Sequence, residues 1–216
     1  MTKFEKNDKI YESLNKISLL IFDKYETGNN NYFNDQFQGI PIGGYNILID
    51  NLLEGIECRT NCNYIDNRSS LENIAERIIY TGAIDEFFDY KLGRLEYRSL
   101  RFEQENLSIS NFQGNAIVNY TNIEVPYTRV VEHKWFDSHN LDAIHTPFTI
   151  ITREYPQSFM PGIDPYYPIN DERNMILYQE YLSLARKSTP NIVFAGRLGA
   201  YKYYDMDKTI AEAMLL

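Results

Sequence analysis

The sequence predicts an α+β fold, an antiparallel β-sheet flanked by helices. Three observations predict it. Apolar residues recur at helical spacing through the first third of the chain. Between residues 91 and 153 the period changes to two. After Asn170 helical spacing returns, broken once by the apolar run Ile192-Val193-Phe194.

The elements follow in order. Residues 8–22 carry Ile10, Leu14, Ile17 and Ile21 on one helical face, and a Gly/Asn-rich loop follows at 25–31. Residues 43–54 form a second helix with the stripe Tyr45, Leu48, Ile49, Leu52 and Leu53, stopped by Gly55. Ser69-x-x-Glu72 reads as a capping box that opens a short helix reaching about Arg77. Ile78-Ile79-Tyr80 is a buried strand ending at Thr81-Gly82. Period-two segments at 96–103, 115–121, 128–134 and 148–154 supply the sheet. Asn170-Asp171 starts a helix with Tyr178, Tyr181, Leu182 and Ala185, and a last helix begins near Asp207. No internal repeat or low-complexity tract is present.

Composition narrows the partners. The chain has 216 residues, 44% of them hydrophobic, enough for one large domain or parts of two. Its net charge of −9 argues against nucleic acid and against an anionic membrane surface. A site for a polyanionic ligand must then be a local basic pocket. Cys58 and Cys62 have the spacing of consecutive helical turns. There is no second Cys pair, and His133, His139 and His145 lie far away, so the two cysteines read as ordinary reduced thiols and no metal site is expected. The N-terminus is charged and patterned, unlike a signal peptide, and no apolar run is long enough to span a bilayer, so a cytoplasmic location is the default. Tyrosine is over-used, 18 residues against 12 Phe and 1 Trp, which fits either aromatic packing or an amphipathic cleft for sugars and nucleotides.

Two features carry chemistry. Near the end, Phe194-Ala195-Gly196-Arg197-Leu198-Gly199-Ala200-Tyr201-Lys202-Tyr203-Tyr204-Asp205 joins a strand to a helix through a Gly-flanked arginine, tyrosines and an acid. Gly permits close backbone approach, Arg suits bidentate phosphate contact, and tyrosines offer flat faces with a polar tip. The second feature is a hairpin. If 115–121 and 128–134 pair with Thr121 opposite Tyr127, Asn119 sits opposite Arg129, with Cβ atoms about 4.5–5.5 Å apart. Such a pair reads an anion or a hydroxyl, or is a solvated polar pair.

Several segments together resemble one family. They are Gly39-Ile40-Pro41-Ile42-Gly43-Gly44-Tyr45, Ile79-Tyr80-Thr81-Gly82-Ala83-Ile84-Asp85, Leu95-Glu96-Tyr97-Arg98-Ser99-Leu100-Arg101-Phe102-Glu103, Asn111-Phe112-Gln113-Gly114-Asn115-Ala116, Val125-Pro126-Tyr127-Thr128-Arg129-Val130-Val131-Glu132-His133-Lys134, Glu154-Tyr155-Pro156, Pro165-Tyr166-Tyr167-Pro168 and the closing motif. Over residues 29–216 the chain resembles the C-terminal part of a bacterial UDP-galactopyranose mutase. That resemblance implies a flavoenzyme interconverting UDP-galactose and UDP-galactofuranose. Reduced FAD acts through its N5, forming an adduct with the anomeric carbon and displacing UDP, and the sugar ring opens and recloses at the other size. It implies that Arg129 meets the diphosphate, that Asn119 lies near sugar and flavin, and that Tyr167 and Tyr203 reach the diphosphate. Arg197, Asp205 and Gly196 lie by the flavin, Tyr32 lies near the substrate, and Glu154, near the sugar, is either a general base or the group that orients Arg129.

The sequence departs from that family in definite places. It has no G-x-G-x-x-G; Gly43-Gly44 and Gly196 with Gly199 have the wrong spacing and context. The family's helical insertion with the aromatics that grip uracil is missing, and its loop arginine before Asn31-Tyr32-Phe33 has no counterpart near Tyr25. The expected organisation is therefore residues 1–26 as a helix outside the match, 27–90 as helices and a strand of a truncated Rossmann-like FAD-binding fold, 91–168 as the substrate-side sheet, and 169–216 as the flavin and diphosphate motif. Such a chain is expected to be inactive alone and to need a complementary N-terminal chain, with a homo-oligomer as a further association. The alternatives are a non-catalytic remnant, or a UDP-sugar-binding paralogue. Without the resemblance, a two-carboxylate glycoside hydrolase using Glu132 and Glu154 also fits.

Overall fold

The computed structural model describes residues 39–137 and 140–216. The predicted helix at 8–22, the loop at 25–31, the segment 1–26 and Tyr32 lie outside the described residues. Among the described residues the strands are β1 (Ile78–Tyr80), β2 (Tyr97–Leu107), β3 (Ile117–Asn119), β4 (Arg129–Glu132), β5 (Thr149–Ser158), β6 (Tyr167–Pro168) and β7 (Ile192–Phe194). The helices are α1 (Tyr45–Leu52), α2 (Tyr64–Glu72), α3 (Ile84–Phe87), α4 (Leu141–His145), α5 (Glu172–Ser188), α6 (Gly196–Gly199) and α7 (Met206–Ala213), with a 3₁₀ turn at His133–Phe136. The mixed helix-and-strand class expected from periodicity is therefore present.

The strands make two sheets. The larger is antiparallel, in the order β3-β4-β5-β2-β6. Its spine is the pairing of β2 with β5, continuous from Arg98 opposite Ser158 to Leu107 opposite Thr149. Both strands outrun their predicted ends. Among the described residues, β5 beyond Glu154 has only β2 as a neighbour, so Pro156, which lacks an N–H, leaves no third strand unbonded. The smaller sheet is β1 beside β7, parallel, with Ile78 opposite Ile192 and Tyr80 opposite Phe194.

The core lies where the two sheets and α5 meet. Tyr80, Ile84, Phe87, Phe88, Leu95, Tyr97, Tyr178, Tyr181 and Tyr201 are buried together. Phe87 packs edge-on against Phe194 at 4.9 Å, and Tyr97 against Tyr201 at 5.4 Å. Buried phenols need partners. Tyr181 donates to the Gly93 carbonyl at 2.7 Å and Tyr201 to the Glu96 carbonyl at 2.6 Å. Packing thus accounts for part of the tyrosine excess. The start of α5 is tied in similarly: Asp171 caps it by accepting from the Asn174 N–H, and buried Asn174 accepts from the Glu96 N–H at 3.1 Å.

Two local expectations are corrected. Ser69 and Glu72 do not open a helix; they lie in the last turn of α2, whose cap is Asn63, accepting from the Ile65 N–H. Glu72 is drawn instead to the Tyr64 hydroxyl at 2.9 Å and to Arg68 Nε at 2.7 Å. Cys58 and Cys62 are not on a helix either: they are exposed, free thiols in the loop between α1 and α2.

Candidate functional site

The site begins with a row across the larger sheet. Asn119 is opposite Arg129, Arg129 opposite Glu154, and Glu154 opposite Phe102. Directly opposed residues share a face, so all four side chains leave the same side. Arg129 donates from Nε to Asn119 Oδ1 at 2.9 Å, and its Nη1 lies 3.6 Å from Glu154 Oε2. The guanidinium plane is held from both sides while its side chain stays 39% exposed. The hairpin pairing expected from sequence is the one observed.

Alternate residues of β2 extend that face to Arg98, which pairs with Tyr167 of β6. Along this end, Leu95, Tyr97 and Ser99 are buried while Glu96 and Arg98 are exposed, so this side of the sheet is open. A groove of about 830 Å³ runs here, walled by Arg98, Leu100, Ser158, Phe159, Tyr167 and Arg173. Arg129 and Arg197 are not part of its wall.

A second cluster stands at Tyr167. Tyr203 stacks on it at 5.6 Å between ring centres. The Arg197 guanidinium lies 4.6 Å from the Tyr203 ring and 5.6 Å from the Tyr167 ring. Arg197 Nε donates to the Tyr204 carbonyl at 2.6 Å, and its Nη2 is 4.0 Å from Asp205 Oδ1. Partial desolvation of the half-exposed ring, then the charge of Asp205 and a hydrogen bond to it, push the Tyr203 phenol above its usual range. Gly196 takes φ 71°, a conformation that favours glycine. Gly199 passes so close to β1 that a Cβ there would lie 2.7 Å from the Tyr80 carbonyl oxygen. Gly196 itself borders a smaller apolar cavity of about 190 Å³ with Ile79, Phe194, Ala200 and Leu216.

The two clusters are joined by rings the sequence reading did not single out. Phe102 meets Tyr166 edge-on at 5.7 Å, and Tyr166 meets Tyr167 at 6.4 Å. Arg98, Phe102 and Tyr166 are the additions. The period-two pattern of β2 already put Arg98 and Phe102 on one face; which face was not visible until β2 was seen to pair with β5.

The hydrolase alternative fails on this geometry. Glu132 alternates with Arg129 and Val131 and so leaves the face opposite Glu154. It is fully buried, accepting from the Phe112 and Gln113 N–H groups and the Thr149 hydroxyl. Burial alone would raise its carboxyl; those donors outweigh it and hold the group below the usual range. Neighbouring Lys134 donates to the carbonyls of Ser110, Ile144 and Thr146. Both are ties between loops and sheet. Among the described residues no group of three or more His, Cys, Asp or Glu is arranged to hold a metal, and no helix is long and apolar enough to cross a membrane.

A family model described as UDP-galactopyranose mutase matches residues 9–203. A probable UDP-galactopyranose mutase of Klebsiella pneumoniae is 41% identical over 192 residues, covering 86% of this chain and 47% of the relative. The UDP-galactopyranose mutase of Mycoplasma pneumoniae is 36% identical, and a dTDP-fucopyranose mutase of Escherichia coli is 35% identical; each match covers 86% of this chain and 49% of the relative. The chain spans about half the length of the curated relatives it matches. On the extent of the family match and the identity to these relatives, the chain belongs to the UDP-galactopyranose mutase family.

Proposed function

We propose that this chain supplies the diphosphate-facing wall of a UDP-galactopyranose mutase site, where UDP-galactopyranose contracts to UDP-galactofuranose. The observation that carries the reading is the aligned Asn119, Arg129 and Glu154 on an open sheet face. Departure of UDP concentrates charge on the diphosphate. A guanidinium held in one plane stabilises that charge, and the Tyr167 and Tyr203 hydroxyls add donors. Glu154 acts on Arg129, orienting it, in keeping with their 3.6 Å separation. Asn119 takes a sugar hydroxyl while accepting from Arg129 Nε.

Reduced FAD, when bound, supplies the nucleophile for the anomeric carbon. The residues present suit part of it: Arg197, Asp205 and Gly196 would hold the edge of the flavin ring, with Gly196 giving the close backbone approach. Nothing in the sequence suits the ADP half, since G-x-G-x-x-G is absent. That half is bound by a polypeptide equivalent to the part of the relatives this chain does not match, joined to it or separate. The parallel pair of β1 and β7 is then the remnant of a Rossmann-like sheet; parallel sheets are ordinarily covered on both faces, and Ile79 on β1 is 52% exposed. A cytoplasmic setting agrees with the exposed free thiols of Cys58 and Cys62.

The test is to express the chain with the N-terminal half of the Klebsiella relative and assay UDP-galactofuranose formation with dithionite-reduced FAD. Turnover that Arg129→Ala abolishes is expected. A mixture that binds FAD and stays inactive would sink the reading.

A further inference from the structure

The open sheet face carries an aromatic side chain beside Glu154 that diphosphate chemistry leaves unused. Phe102 is the strand partner of Glu154 and ends the row begun by Asn119 and Arg129. It is 45% exposed. A single exposed apolar residue is ordinary on a protein surface. Phe102 is not single. Its ring meets Tyr166, Tyr166 meets Tyr167, and Tyr167 stacks on Tyr203, under the Arg197 guanidinium. The Tyr166 N–H donates to the Arg98 carbonyl at 3.0 Å, which anchors the wall to β2. The rings of the opposite face differ. There Arg101 lies 4.0 Å over Tyr155, and Arg153 lies 5.7 Å from the Tyr127 ring centre, so those faces are already taken.

We infer that Phe102, backed by Tyr166, is the apolar platform for the hexose ring of a nucleoside diphosphate sugar. The inference rests on the function proposed above and adds a specificity-determining contact to it. A hexose has hydroxyl edges and faces made of C–H groups. An aromatic ring accepts the C–H face, and no group of the charged row can do so. Opposed Cβ atoms stand about 4.5–5.5 Å apart, so a ring against Phe102 lies beside the Glu154 carboxylate and in line with Asn119 and Arg129. The row then divides the ligand: its aromatic end takes the sugar face, its polar members take hydroxyls and phosphate.

The experiment compares UDP with UDP-galactose on the chain combined with the N-terminal half of the Klebsiella relative, by saturation-transfer NMR and calorimetry, for wild type, Phe102→Ala, Phe102→Tyr and Arg129→Ala. Wild type is expected to bind both probes, with saturation reaching the galactose C–H protons. Phe102→Ala is expected to lose that saturation and to weaken UDP-galactose about tenfold while UDP binding is unchanged. Phe102→Tyr should restore both, and Arg129→Ala should lose both probes. If Phe102→Ala leaves UDP-galactose unchanged, or weakens both probes alike while the Phe102→Tyr protein behaves as wild type toward UDP, the platform is overturned and the diphosphate reading stands. If the wild-type mixture binds FAD and neither probe, the reading beneath it falls as well. Thermal unfolding of each variant, with Phe102→Leu as a milder truncation, separates lost binding from lost fold.

Discussion

Arg129 and Asn119 face each other across the β3–β4 pair, and the arginine gives its Nε to the asparagine carbonyl oxygen at 2.9 Å. Glu154 holds the same guanidinium from the next strand. The cation is therefore presented as an oriented plane rather than a mobile charge.

Orientation should matter more than charge. Arg129→Lys keeps the charge and loses the planar fork. The expected result is UDP affinity reduced about tenfold or more, with stability changed by less than about 1 kcal/mol, because the pair is half-exposed. Asn119→Ala should weaken UDP less than Arg129→Lys does. Calorimetric titration of UDP into the chain combined with the N-terminal half of the Klebsiella relative checks both; equal affinities for Arg129→Lys and wild type would detach the planar geometry from binding.

Glu132 should give the fold an acid limit. Its folded-state carboxyl lies below its ordinary value of 4.5, so its contribution is fully present above that value. It is lost as pH falls through the depressed folded value. Glu132→Gln should lower stability at pH 7 by about 1–3 kcal/mol, because the buried donors Phe112, Gln113 and Thr149 lose a charged acceptor. Below pH 4.5 the variant should fall less steeply than wild type. Urea denaturation at several pH values measures this, and parallel curves would refute it.

Gly199 should tolerate no side chain. A Cβ at 2.7 Å from the Tyr80 carbonyl oxygen meets backbone, not a flexible side chain. Gly199→Ala should cost about 1–3 kcal/mol, whereas Gly39→Ala, with nothing among the described residues within 4 Å, should be near neutral. Thermal unfolding distinguishes them, and a neutral Gly199→Ala would show that β1 and α6 can move apart.

What could be read from the sequence was local. Asn119 and Arg129 belong to adjacent strands with a short connection, so a register could be guessed and the pairing follows. Ile78–Tyr80, the start of α5 and Ile192–Phe194 were legible for the same reason: each declares itself in its own residues. Phe102 beside Glu154 was not legible, because β2 skips β3 and β4 to pair with β5, and nothing local in either strand names its partner. Tyr167 beside Arg98 depends on the two-residue strand β6, too short to have a period. The capping box misled because Ser69-x-x-Glu72 has the right letters at the wrong end of its helix; Asn63 caps that helix, and Tyr64 and Arg68 decided where Glu72 went.

The β1–β7 pair has a consequence for how this chain comes together. Its partners Ile78 and Ile192 are 114 positions apart (192 − 78), and the whole antiparallel sheet lies between them. Closing so long a loop from an unstructured chain is entropically expensive and kinetically slow. Prior pairing of β2 with β5 shortens the effective loop, so the antiparallel sheet should form first and the parallel seam close late. Damage at the seam, as at Gly199, should then speed unfolding far more than it slows folding.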